Sequence, residues 1–293
     1  LSHVSACYMS LITKEVDDFR WWVWLTRGFY ACVISLSLRH VTVLDEALRW
    51  FWESARTTFI WKHDSFEPFI VVSTFFLVFS FWGAIDKLCP QFHKYKFHAH
   101  IVEDWKTFRF PVDRIKSEFI GYVAPLLIFD FLYPRRRLPA DSVSFGRLWF
   151  EVTLCLLIYD ALFFVAHWLL HIIPTVFRAI HARHHDMIPI KALDTIRLSF
   201  AEQIINVSCS IIAVNVSGSH PLSRAVYNIV IICLLVELHC GYDMPWMLQN
   251  VVPFGIIGGS VRHDRHHVVG TVYYQKFFTY LDNLFGFVEK KSS

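Results

Sequence analysis

Charge is scarce in this chain. Only 18% of its 293 residues are Asp, Glu, Lys or Arg, against about 25% in ordinary soluble domains. That argues for a membrane protein and against a soluble domain. The net charge of +3 is small, and no basic stripe or RNA-binding signature occurs, which excludes a nucleic-acid binder. The seven cysteines (Cys7, Cys32, Cys89, Cys155, Cys209, Cys233 and Cys240) are odd in number and irregularly spaced. They offer neither a disulfide framework nor a Cys-based zinc site, and most sit in or beside apolar segments as small hydrophobes do. No basic stretch with a short apolar run follows Leu1, so no secretory signal peptide is expected. Internal repeats and low-complexity tracts are also missing.

What is abundant is apolar. Hydrophobic residues make up 55% of the chain and aromatics 17%, with a mean hydropathy of +0.40. A spanning helix needs about 20 mostly apolar residues. Pro68–Ile85, Ser117–Tyr133, Leu148–His167, Ser199–Ser217 and the shorter Ala225–Leu238 qualify. A sixth segment, Trp21–Leu38, is interrupted by Arg27, and its Trp21, Trp22 and Trp24 suit a membrane interface; it either spans or lies flat. The expected fold is all-α, a polytopic membrane helix bundle of about four to six membrane helices with a histidine-rich cap.

If each segment crosses once, the basic stretches Lys87–Lys116 and Ile172–Arg197 and the tail bearing Arg262, Arg265, Lys276, Lys290 and Lys291 fall on one side. The positive-inside tendency makes that side cytosolic. Arg135–Arg137 and the turn Gly218–Pro221 fall on the other. The closing Lys290-Lys291-Ser292-Ser293 resembles the dilysine signal of endoplasmic reticulum membrane proteins, which acts on a cytosolic tail.

Nine of the sixteen histidines are patterned. His167 and His171 form H-x-x-x-H; His181, His184 and His185 form H-x-x-H-H; His263, His266 and His267 repeat H-x-x-H-H; His239 ends the Ala225–Leu238 segment. Residues three and four apart on a helix share a face, so each cluster is expected to aim its imidazoles at one point. The topology brings all nine to one membrane face, although the first and last are a hundred residues apart. Neutral imidazole is a good ligand for iron and other first-row metals. Isolated His3, His40, His63 and His220 read as ordinary core or surface residues, as do His98 and His100 unless they join the site.

Nine histidines are too many for one zinc, and Trp168 stands where a zincin would need Glu. Soluble di-iron proteins rely on carboxylates; an all-imidazole pair of irons fits these clusters better. Asp160, seven residues before His167 in an apolar segment, lies two turns away on the same face. A carboxylate there is a candidate to accept a ring N–H from a ligand histidine, or else a helix-packing partner. Glu237 faces away from His239, and Asp282 reads either as a support for a ligand or as a loop cap. A metal carrier, the reading from another class, needs polar groups along a path through several spans, and Asp160 is the main one.

On these residues the sequence resembles the fatty acid hydroxylase/sterol desaturase superfamily, in particular its cholesterol 25-hydroxylase-like branch. The resemblance is carried by Tyr159-Asp160 through His167, Ser219-His220-Pro221-Leu222, Glu237-Leu-His239-Cys-Gly241-Tyr242 through Trp246, Val252-Pro253-Phe254-Gly255 and Phe277–Gly286. It departs at Arg262 and Ile172, where that branch tends to have further histidines, and at Cys240 in place of Ser. The resemblance implies a membrane-associated region over 1–66 and a catalytic domain over 67–293. It implies two irons on His167, His171, His181, His184, His185, His239, His263, His266 and His267, hydroxylation of a lipid C–H with O2, and electrons from cytochrome b5 or an NADPH-dependent reductase. The lipid, a sterol by this resemblance, would enter from the bilayer between aromatic-rich helices, with Phe163, Phe164 and Trp168 as candidate lining. A 4-methylsterol oxidase, a sterol desaturase or an alkylglycerol monooxygenase would use the same scaffold.

Overall fold

The computed structural model describes the backbone of residues 2–98, 112–133, 138–186 and 189–289, and their side chains apart from 2–18 and 112–119. His100, Arg135–Arg137 and Lys290–Ser293 lie outside the described residues. The elements are helical: α1 (Ser2–Arg39), α2 (Val41–Ala55), α3 (Phe59–Lys62), α4 (Phe66–Leu88), α5 (Val112–Leu132), α6 (Phe145–Ile172), α7 (Pro174–Val176), α8 (Ala182–His185), α9 (Phe200–Val216), α10 (Pro221–Leu238), α11 (Leu248–Val251), α12 (Gly259–Val269) and α13 (Tyr280–Phe285). Among the described residues there is no strand, only two isolated bridges, Lys96 to Tyr242 and Ile257 to Phe278.

Three helices, α4, α6 and α10, are long and apolar enough to cross a membrane. The sequence segment Ala225–Leu238 is lengthened because Pro221 opens α10 at a position where its missing N–H costs nothing, and His220 caps it by accepting from Leu222 N at 3.1 Å. The other two expected spans are shorter as helices: α9 has 17 residues, and Ile120–Leu132 is the described apolar part of α5. Trp21–Leu38 lies within the unbroken α1, exposing Trp21, Trp22, Phe29 and Ile34. Its Arg27 turns inward, donating to Asn250 O at 2.8 Å and Val251 O at 3.1 Å.

Helix α10 is central, packed on α4, α6 and α12, while α6 and α5 pack on α9. Lipid tails are as apolar as Leu, so polar contacts between spans matter as glue. Arg224 of α10 grips Glu67 of α4 through two bonds, 2.8 and 3.1 Å. Glu151 of α6 accepts from His220 N at 2.9 Å, and Cys155 of α6 meets Ser217 and Ser219. These contacts close the end where α4, α6 and α10 begin. The opposite end, where those three helices finish, carries the histidines. His220 is therefore structural, as its isolation suggests.

Candidate metal centre

Four pieces of chain deliver the histidines. His167 and His171 lie in the last turns of α6, His239 is the residue after α10, and α12 carries His263, His266 and His267. Pro174 follows the end of α6, and the chain then runs through a π-type turn, Phe177–His181, into α8. Such widened turns recur at functional sites because they re-aim side chains.

The nine rings form two groups. His167, His171, His181, His185 and His266 make one; His184, His239, His263 and His267 make the other; within each, the ligand atoms lie within 4.8 Å of one another. All are buried except His171 and His185, which are partly exposed. The expectation that each cluster aims at a single point needs correction. In both H-x-x-H-H motifs the first and last histidines share a group, and the middle one joins the other group. The cause is helical geometry: at about 100° per residue, positions i+3 and i+4 fall on opposite sides of i. Each motif therefore contributes to both groups.

The nitrogens that converge are Nε2. In the five-histidine group the contacts are His167 to His181 at 3.1 Å, His185 to His181 at 3.0 Å and His266 to His171 at 3.1 Å. In the four-histidine group they are His239 to His184 at 3.3 Å, His263 to His239 at 2.9 Å and His267 to His263 at 3.2 Å. Several of these rings carry their proton at the other nitrogen. His167 Nδ1 donates to Tyr274 O at 2.8 Å, His266 Nδ1 to Val272 O at 2.6 Å and His239 Nδ1 to Leu235 O at 2.9 Å. A carbonyl only accepts, so these neutral rings present bare Nε2 lone pairs inward. His181 Nδ1 faces Glu202 Oε1 at 2.8 Å, which against a carboxylate has the same effect. Lone pair facing lone pair is repulsive unless a cation lies between. With imidazole–metal bonds of about 2.1 Å, ligands at right angles stand about 3.0 Å apart, close to the spacing found. The donor set thus fits two imidazole-bound metal ions.

Burial, reinforced by neighbouring rings, pushes His181, His184, His263, His266 and His267 well below the usual histidine range. Burial also brings His185 down to about 4 and His239 to about 3. The rings are therefore neutral at physiological pH, the form that ligates metal.

The fatty acid hydroxylase family profile matches residues 152–287, a stretch that contains all nine histidines. A cholesterol 25-hydroxylase-like protein of Danio rerio is 30% identical over 227 residues, covering 75% of this chain and 90% of that protein. The chain belongs to the fatty acid hydroxylase family. The cholesterol 25-hydroxylase of Rattus norvegicus is 29% identical over 244 residues, 80% of each chain. A putative methylsterol monooxygenase of Dictyostelium discoideum is 30% identical over 213 residues, 69% of this chain and 76% of that one. No solved structure matches.

Within this fatty acid hydroxylase scaffold, Asp160 does not touch a histidine. Its carboxylate accepts from Gln275 Nε2 at 2.8 Å and from the backbone N–H groups of Lys276, Phe277 and Phe278 at 3.0 to 3.1 Å. Asp282 is a loop cap, accepting from Tyr274 N and Gln275 N. The two acids pin the segment whose Tyr274 carbonyl orients His167, so Asp160 acts through that loop and not by contact. Among the described residues, the carboxylate that meets a ring of either histidine group is Glu202, at the head of α9. Sequence reasoning passed over it, although Ser199-x-x-Glu202 is a capping-box pattern. Only half the box forms: Ser199 accepts from Glu202 N at 3.2 Å, while the acid side chain turns to His181. Lys276, counted in the sequence among the basic residues of the tail, is instead buried beside it. Its Nζ donates to Asn206 Oδ1 at 3.0 Å and Tyr159 Oη at 3.3 Å, and stands 3.5 Å from the Phe163 ring centroid. Burial, partly offset by Glu202, lowers this ammonium to about 7.

The remaining candidates divide cleanly. His98 pairs with Asp264 at 3.0 Å and joins neither histidine group. Phe163 packs on Tyr159 and His167, Phe164 on Phe285 and Phe287, and Trp168 on Phe287. Arg262 lies over the Tyr273 ring at 5.0 Å, and Ile172 is exposed. Cys240 Sγ accepts from Tyr242 N at 3.4 Å, a turn contact that a Ser would also make.

Proposed function

We propose that this protein is a membrane-bound, O2-dependent di-iron oxygenase that hydroxylates an unactivated C–H of a lipid, with a sterol as substrate. The observation that carries the reading is the pair of histidine groups, five and four rings with Nε2 lone pairs turned on each other. His167, His171, His181, His185 and His266 would hold one iron; His184, His239, His263 and His267 would hold the other. Two bound irons would supply reduction of O2 and removal of hydrogen from carbon. The chain's own part is orientation and exclusion. Tyr274 O, Val272 O, Leu235 O and Glu202 fix which nitrogen faces inward. The buried rings and the aromatic layer of Tyr159, Phe163 and Phe277 keep bulk water away.

The relatives support a sterol: proteins similar over most of this chain are named cholesterol 25-hydroxylase. The histidine end also carries Lys87, Lys94, Lys96 and Lys191. That favours a cytosolic face in the endoplasmic reticulum membrane, where cytochrome b5 or an NADPH-dependent reductase could deliver electrons.

Elemental analysis of purified protein beside His184→Ala, together with product analysis after incubation with sterols, O2 and an electron donor, tests this reading. About two irons per chain, sharply reduced in the variant, and a hydroxylated sterol are expected, as two histidine groups imply. One zinc, or no metal in folded wild type, would overturn it. The similarity to a methylsterol monooxygenase supplies a second reading, oxidation of a sterol methyl group, which the position of the product oxygen separates from side-chain hydroxylation.

A further inference from the structure

A small cavity of about 40 Å³ lies inside the bundle, where α4, α5, α6, α9 and α10 meet. No charged side chain lines it. Its polar side chains include Asn206, Ser210 and Asn228. Asn206 Oδ1 already accepts from Tyr159 Oη and Lys276 Nζ, and Ser210 Oγ pairs with Tyr227 Oη at 3.2 Å. Asn228 is different. It sits in the middle of α10, is only 7% exposed, and its amide has no hydrogen-bond partner among the described residues. An amide left unpaired inside a membrane span is costly, and a polar residue there points to function.

Two helical stripes lead from this cavity to the histidines. On α10, Asn228, Ile231, Ile232, Leu235 and His239 follow at i, i+3, i+4, i+7 and i+11, which is one face. On α9, Ser210, Asn206 and Glu202 are each one turn apart, and Glu202 is the acid that meets His181. Asn228 stands eleven residues before His239, about 16 Å along the helix axis. Helices α9 and α10 are consecutive, yet they scarcely pack on one another and each leans on α6. Between them runs a seam with an unpaired amide at one end and imidazoles at the other. An amide both donates and accepts, as a hydroxyl does, and nothing in the lining would balance a carboxylate or a phosphate. The volume suits a hydroxyl on its carbon, or about one or two waters, while a hydrocarbon body would follow Ile231, Ile232 and Leu235.

We propose that Asn228, with Ser210, anchors the hydroxyl of a neutral lipid alcohol whose hydrocarbon tail extends along α10 toward His239. The binding stands by itself; its consequence, which rests on the oxygenase reading, is that oxidation falls on carbon remote from the hydroxyl and not on a methyl group beside it.

The probes are cholesterol, its analogue lacking the hydroxyl, and oleate, each offered to the purified full chain in nanodiscs, with retention read by native mass spectrometry. Wild type is compared with Asn228→Leu and Ser210→Ala. Wild type is expected to retain cholesterol at least about tenfold more tightly than the analogue, because a site built to pair a hydroxyl rejects a molecule without one, and more tightly than oleate. Asn228→Leu, an apolar side chain of similar size in an apolar span, is expected to lose the preference over the analogue; Ser210→Ala is expected to lose part of it. Equal retention of cholesterol and the analogue by wild type would overturn the proposal and leave the cavity to water. So would a preference for oleate, or a preference over the analogue that is unchanged in Asn228→Leu or, should that variant not fold, in Ser210→Ala. Retention needs no turnover, so the two readings fail separately. Two irons and a hydroxylated product without hydroxyl-dependent retention would sink the anchor alone; hydroxyl-dependent retention without iron would sink the oxygenase reading alone.

Discussion

The two histidine groups differ in how they are held. In the five-histidine group, three rings have their outward nitrogen tied to the protein: His167 to Tyr274, His266 to Val272 and His181 to Glu202. In the four-histidine group only His239 is tied, to Leu235. The Nδ1 atoms of His184, His263 and His267 are buried with no hydrogen-bond partner. An unpaired buried polar atom costs about 1–3 kcal/mol. The first group is therefore preorganised by the chain, while the second depends on what its inner nitrogens bind. One fold has built two histidine groups, unequally hydrogen-bonded, from the same residue type.

Removing a ligand should break this contrast most visibly. His171→Ala leaves four rings in a braced group; His263→Ala leaves three in an unbraced one. Both should lower turnover at least 100-fold, since even outer partners of ligands are worth about 10- to 100-fold. Metal content should separate them: His263→Ala loses more than His171→Ala, read by elemental analysis after dialysis against a mild chelator. Equal losses would mean that the outer hydrogen bonds do not set retention.

Next in size is Asp160→Ala. It strips the acceptor from three backbone N–H groups and from Gln275. At about 1–3 kcal/mol for each buried group left unpaired, the loss is at least about 3 kcal/mol. Thermal unfolding in detergent should show it directly, with Asp160→Asn intermediate because one oxygen remains. The loop that carries Tyr274 loosens, so His167 loses its brace and the five-histidine group comes to behave like the other. An unchanged melting temperature would show that Asp160 does not anchor the loop.

Glu202→Gln is subtler, because the chain keeps its shape and His181 exchanges a carboxyl partner for an amide. Metal affinity at the five-histidine group should fall about 10- to 100-fold and that of the four-histidine group should not change. Chelator competition monitored at both sites distinguishes this from a uniform loss, which would point to general loosening.

The sequence exposes some of this design and hides the rest for a definable reason. The helical spans and the i, i+4 histidine pairs are written in local spacing, and all nine histidines do gather. The division of each H-x-x-H-H between two groups follows from the same 100° step, so it was legible in principle. Which outer partner braces which ring was not. Tyr274 reaches His167 across 107 residues and Glu202 reaches His181 across 21, and no periodicity encodes such pairings. Asp160 illustrates the limit: its place on the histidine face of α6 was readable, but a loop more than a hundred residues away takes up its carboxylate before any ring can.

The smallest expected effect concerns pH in the metal-free protein. An unfolded histidine titrates near about 6.5, whereas burial holds His185 at about 4 and His239 at about 3. Between those values each of these two rings binds more protons in the unfolded chain than in the folded one, so their contribution to folding stability rises with pH. That contribution is complete above about 6.5 and is lost as pH falls toward 4, while the buried Asp282, raised to about 6, acts in the opposite sense over part of that window. Melting temperatures of chelator-treated protein from mildly acidic to neutral pH check the slope. Replacing His185 with Gln should make it shallower without abolishing it, because His239 and the other buried rings still contribute. Metal should flatten the curve by competing with protons for the inner nitrogens. A dependence of melting temperature on pH that is identical in metal-free wild type and His185→Gln would mean that burial does not hold His185 neutral.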